Sequence, residues 1–107
     1  MPAEDAPIAK GYWIARVDVH DPEAYKAYLA ANGAVFRKFG ARFVVRGGQH
    51  RAAEGTARER TVVLEFPSYA AALACYDSPE YQPVKALRTA ASTADILIIE
   101  GYEGPQP

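Results

Sequence analysis

The chain has 107 residues, enough for one hydrophobic core and too few for two independent ones. Its 12 basic and 13 acidic side chains nearly cancel, which argues against the cationic footprint that nucleic acid or an anionic membrane surface demands. No apolar run approaches the roughly 18 residues of a membrane helix, and residues 1–10 lack the charged start and apolar middle of a secretory leader, so the expected setting is cytoplasmic.

Residues 1–9 contain Pro2, Pro7, Glu4 and Asp5 and little that can be buried, so a flexible arm is expected there. A single domain then runs over 10–102, and residues 103–107, with Gly104, Pro105 and Pro107, read as a flexible tail. The first strand is expected over Gly11–Val19, where Trp13, Ala15, Val17 and Val19 alternate with Tyr12, Ile14, Arg16 and Asp18. Asp21 followed by Pro22 is a helix start, because the carboxylate accepts from a free backbone N–H and proline has no donor to leave unpaired. Tyr25, Tyr28, Leu29, Phe36 and Phe39 recur at three- and four-residue steps, and Gly40 stops the helix.

A second strand, Arg42–Arg46, runs into Gly47 and Gly48. The polar loop from Gln49 to Glu59 then leads to a third strand, Arg60–Phe66. Ser68 caps a second helix through Tyr76, and Ser78-Pro79-Glu80 breaks the helical layer and restarts it through about Ala91. The last strand, Ala94–Glu100, carries Ile96, Leu97, Ile98 and Ile99 without interruption.

Strand, helix, strand, strand, helix, strand is the split βαβ pattern of an α+β, ferredoxin-like domain. Right-handed crossovers place strands one and three in the middle of a four-stranded antiparallel sheet with the helices on one face. The other face then exposes Ile14, Val44, Val63 and two apolar residues of the last strand. A patch of that kind calls for a cover, and the simplest is the same face of a second copy.

Five ordered strings carry a resemblance: Gly11-Tyr-Trp-Ile-Ala-Arg-Val-Asp-Val, Asp21-Pro-Glu-Ala-Tyr, Gly40-Ala-Arg-Phe-Val-Val-Arg-Gly-Gly, Glu65-Phe-Pro-Ser and Tyr76-Asp-Ser-Pro-Glu-Tyr. Together they resemble the DUF1330 family from about Gly11 to Gly101. The resemblance implies a ferredoxin-like fold that pairs into a dimeric α/β barrel, an arrangement shared by cofactor-free monooxygenases, muconolactone isomerases and EthD-like proteins. It supplies no catalytic residue, because the family has no established general activity.

Such barrels keep a mostly apolar pocket between sheet and helices, which makes Trp13, Tyr25, Tyr28, Tyr76 and Tyr81 candidate ligand-lining residues. The same tyrosines read equally as core residues whose hydroxyls reach water. Arg16, Arg46 and Glu65 fall at the alternation expected of the open sheet face. They are either a site for a carboxylate or enolate, with Glu65 as base, or an ion-pair network between strands or across a dimer. His50, in the long loop, is a candidate acid or base at a pocket mouth, or simply a solvated side chain. Neither His20 nor His50 has partners at metal-ligand spacing, and no histidine lies on the later helices where haem-binding relatives of the superfamily place one, so neither a metal nor a cofactor is expected. Cys75, between Leu73 and Tyr76 at helical spacing, reads as a buried apolar residue. The functional expectation is a cofactor-independent enzyme of proton-transfer, isomerase, lyase or monooxygenase type acting on a small organic acid or aromatic, with a non-catalytic metabolite-binding or structural dimer as the alternative.

Overall fold

The computed structural model describes residues 8–107. The expected arm over residues 1–9 lies almost wholly outside them. The elements are β1 (Gly11–Val19), α1 (Pro22–Lys38), β2 (Arg42–Arg46), β3 (Arg60–Phe66), α2 (Tyr69–Asp77), α3 (Tyr81–Ala91) and β4 (Ser92–Glu100). The four strands form one antiparallel sheet in the order β2-β3-β1-β4, with β1 and β3 central as expected. No helix among the described residues is long and apolar enough to cross a membrane.

The local signals behave as their chemistry demands. Asp21 accepts from the Ala24 N–H at 3.1 Å and Ser68 from the Ala71 N–H at 3.0 Å, so α1 and α2 each start on a side-chain cap. Pro79 keeps Ser78 in extended backbone, ψ 148°, which ends α2. The Ser78 hydroxyl donates to the Cys75 carbonyl at 2.8 Å and accepts from the Tyr81 N–H at 3.2 Å, so one side chain closes α2 and opens α3. β4 begins at Ser92, two residues before the expected Ala94. Ser92 pairs with Val19, and its hydroxyl donates to the Arg88 carbonyl at 2.7 Å, so helix end and strand start share a residue.

The core forms where the helices cover β1 and β3. Trp13 stands at its centre, with ring centroids 5.2–5.5 Å from Tyr81, Phe66, Phe36 and Tyr76. Its indole N–H donates to the Ala72 carbonyl at 2.8 Å, which pins α2 to the sheet. Burial of that ring and its neighbours is the main favourable term available to so small a domain. Cys75 is fully buried beside them, and burial pushes its thiol up to about 12, which removes it as a nucleophile at neutral pH.

One irregularity redirects a side chain. β2 pairs Phe43 with Leu64 but Val45 with Val63, so Val44 and Val45 together oppose one residue of β3. Without the bulge, simple alternation would put Arg46 on the open face, as the sequence pattern suggested. The extra residue inverts the parity, and Arg46 pairs with Val62 on the helix-covered face.

The open face carries Ile14, Val63, Leu97 and Ile99, the last two 55% and 45% exposed. Gly11 marks the tightest packing on the covered face. A Cβ there would come within 2.4 Å of the Ser68 carbonyl oxygen, in the turn that opens α2. Gly11→Ala is therefore expected to cost about 1–3 kcal/mol by pushing α2 off β1, read as a lower urea midpoint at unchanged slope.

Candidate functional site

Between the sheet and α1 the core is incomplete and leaves a cleft of about 430 Å3, counting its open mouth. Its sheet wall is apolar, built from inward residues of the central strands such as Trp13, Val17 and Leu64 together with Ile96 of β4. Its helix wall is the inner stripe of α1, on which Tyr25, Tyr28, Asn32 and Phe36 follow at helical spacing. No residue of α2 reaches the cleft; α3 contributes Arg88 alone.

Three arginines enter this apolar space: Arg46 from β2, Arg60 from the start of β3 and Arg88 from α3. None takes part in an ion pair with a carboxylate among the described residues, and no acid lines the cleft. Arg88 is only 6% exposed. Its Nε and that of Arg60 are buried without a hydrogen-bond partner. Burial opposes the Arg88 charge, but the Tyr81 phenol beside it, with Tyr28 and Tyr76, outweighs burial and leaves the guanidinium pKa raised, so Arg88 remains a cation. Arg46 lies over the Phe43 ring, 4.2 Å from its centroid, which steadies the planar fork at the cleft mouth. Arg60 reaches its place because Gly47, at φ 66°, has no side chain; a Cβ there would meet Arg60 Nη1 at 2.7 Å.

The tyrosines complete the donor set. The Tyr28 and Tyr81 hydroxyls share a hydrogen bond of 2.9 Å, and burial raises the Tyr28 pKa well above the phenol range, so Tyr28 stays protonated. Burial raises Tyr25 too, against the opposing charges of Arg60 and Arg88. Guanidinium forks, phenols and the Asn32 carboxamide form a wall rich in hydrogen-bond donors, with positive charge that no carboxylate among the described residues neutralises. Such a wall can receive an anion, or hold one that develops during reaction.

The structure separates residues that the sequence pattern grouped. Trp13, Tyr25, Tyr28 and Arg46 line the cleft, whereas Tyr81 is fully buried behind Tyr28 and Tyr76 is half-buried against Trp13. Glu65 is on the open face, where its two oxygens accept from Arg42 Nε and from the Tyr12 hydroxyl, each at 3.0 Å. An ion pair does form there, but with Arg42 of β2 rather than with Arg16 or Arg46. Arg16 is also on the open face and reaches the Thr56 carbonyl at 3.4 Å. His50 is exposed in the long loop and lies outside the cleft. The return limb of that loop is held to the sheet by Arg58, which bridges Asp18 at 2.7 Å and Asp95 at 2.9 Å.

Asn32, Arg60 and Arg88 were missed, although each carried a signal. Arg88 falls in the series Tyr81, Val84, Arg88, Ala91 that forms the buried face of α3, and a charge on an apolar stripe is the informative exception to burial rules. Asn32 interrupts the stripe of α1 in the same way, and Arg60 shares its parity with Val62 and Leu64.

A four-stranded antiparallel sheet with helices on one face and a cleft beneath them defines an α+β protein of the ferredoxin-like class. The chain belongs to the family described as "Domain of unknown function (DUF1330)", whose model matches residues 10–102. No curated protein matches it. Among solved structures, it is similar to RPA0582 of Rhodopseudomonas palustris, a protein of unknown function, at 21% identity and a TM-score of 0.72 over 90% of this chain and 85% of that one. It is also similar to SnoaB of Streptomyces nogalater, a cofactor-independent oxygenase, at 16% identity and a TM-score of 0.61 over 90% and 96% of the two chains. These likenesses establish the fold.

Arg88 is buried without a carboxylate partner among the described residues, so its charge carries a desolvation cost that an apolar side chain of the same volume would not. Arg88→Met, which keeps the volume and removes the charge, is expected to raise stability by about 1–3 kcal/mol in chemical denaturation. A loss of stability would mean that Arg88 already has a compensating partner in the chain.

Proposed function

We propose that this chain binds a small organic acid in the cleft and acts on it as a cofactor-independent enzyme. The observation that carries the proposal is the set of three arginines in an apolar cleft that no carboxylate among the described residues lines. An anionic group set against Arg60 and Arg88 would leave its apolar or aromatic body against Trp13, Leu64 and Phe36. There the guanidinium forks would stabilise charge that develops on an enolate or phenolate, and protonated Tyr28 would donate to the same oxygen. Proton transfer, isomerisation and reaction of a stabilised carbanion with oxygen all begin from such an anion, its proton passing to water at the open mouth of the cleft. The description of SnoaB as a cofactor-independent oxygenase on this fold supports the last of these by analogy.

A second reading, binding without turnover, is favoured by one observation: neither a carboxylate nor an imidazole among the described residues lines the cleft to take a proton. Titration of aliphatic and aromatic carboxylates, followed by amide NMR shifts, is expected to move Trp13, Asn32 and Arg88 in the wild type and not in Arg88→Met. Failure of every acid to do so would remove both readings. Incubating the bound acid in air and under nitrogen then separates them: new products absent from Arg88→Met indicate the enzyme, and unchanged acid indicates the carrier.

Homodimerisation belongs to the same proposal, with the open face of a second copy covering Ile14, Val63, Leu97 and Ile99. The unpaired Cys75 fits a cytoplasmic setting. Light scattering is expected to give twice the chain mass at micromolar concentration, and Leu97→Glu, on the exposed face, the chain mass itself. A wild-type monomer would overturn the dimer and leave the cleft untouched.

A further inference from the structure

We infer that the ligand is a dicarboxylate, held with one carboxylate on the buried Arg88–Arg60 pair and the other on Arg46 at the mouth. The inference rests on the organic-acid reading above and names its charge and shape.

Among the described residues, the cleft concentrates three formal positive charges and no negative one. A single carboxylate neutralises one of them. The three also enter from two sides. Arg88 comes from α3, which passes directly into β4 at one edge of the sheet, and Arg46 comes from β2 at the other edge. Arg60, on β3 between them, faces the Tyr25 phenol together with Arg88, which makes these two the inner pair.

The two ends also differ in environment. Arg88 is nearly sealed from water, and its Nε and that of Arg60 are unpartnered. Arg46 is exposed, but its stacking on Phe43 holds the guanidinium plane in place. An inner fork pair without counter-ions and a steadied outer fork, with apolar wall between, match two carboxylates joined by a short hydrocarbon. Phosphate offers both charges on one centre.

Calorimetric titration of the purified full chain at fixed ionic strength tests this with matched probes: succinate against butyrate, phthalate against benzoate, and inorganic phosphate alone. The dicarboxylate of each pair is expected to bind about tenfold or more tightly than its monocarboxylate, the difference expected for an additional charged hydrogen-bonded contact. Arg46→Gln, at an exposed position where folding is not at stake, is expected to collapse that ratio towards one, while Lys26→Gln on the outer face of α1 keeps it. Equal affinity within each pair, or a ratio that survives Arg46→Gln, overturns the dicarboxylate and leaves the organic-acid reading standing. Phosphate binding as tightly as the dicarboxylates would also overturn it, in favour of a compact anion. Absence of binding by every carboxylate would overturn both.

Discussion

Trp13 ties together the two layers, sheet and helices, on which this small domain depends. Its indole is fixed by a hydrogen bond to the Ala72 carbonyl and by rings contributed from α1, β3, α2 and α3. A side chain fixed by those contacts cannot shift to fill the space beside it. The region under α2 is therefore packed solid, with Gly11 admitting the helix start at backbone contact. The cleft opens on the other flank of the same indole, where α1 and the sheet meet without α2. Rigidity at Trp13 and emptiness beside it are two aspects of one arrangement, and a preformed cleft in so short a chain follows from them.

Within the cleft the energetics run against stability. Unpaired guanidinium groups under a helical layer forfeit hydration without a carboxylate in return. The chain keeps acids available elsewhere: Glu65 is taken by Arg42, and Asp18 and Asp95 by Arg58. The Glu59 backbone N–H and Arg58 hold the Asp18 carboxyl below its ordinary range, so that surface cluster is satisfied at neutral pH. Counter-ions are thus spent on the open face and withheld from the cleft. That unequal distribution is the strongest functional signal in the molecule.

Most of the architecture was legible because it rests on local chemistry. Caps at Asp21 and Ser68, the Ser78-Pro79 break and the alternation of β1 each have one dominant physical reading. Strand order followed from handedness once the elements were known. The cleft was less legible for a different reason. Arg46 was placed on the wrong face because a bulge inserts one residue into a count of two, and nothing in Arg42-Phe-Val-Val-Arg distinguishes a bulged strand from a regular one. Glu65 found Arg42 because cross-strand partners depend on register, which alternation alone leaves open. Arg60 and Arg88 were visible as charges on apolar stripes, yet their lack of partners is a property of the folded chain.

The bulge at Val44 and Val45 also shapes what mutation can do to this protein. While the bulge stands, substitutions along β2 change which side chain occupies the cleft mouth without moving Arg46 to the other face. Deleting one valine would leave it there too: regular pairing would return with Phe43 opposite Leu64 and Arg46 still opposite Val62 on the covered face. The extra residue could thus be lost, straightening the edge strand, without transferring the positive charge. What would carry Arg46 to the outside of the protomer is a strand of unchanged length that paired regularly, which would set it opposite Thr61.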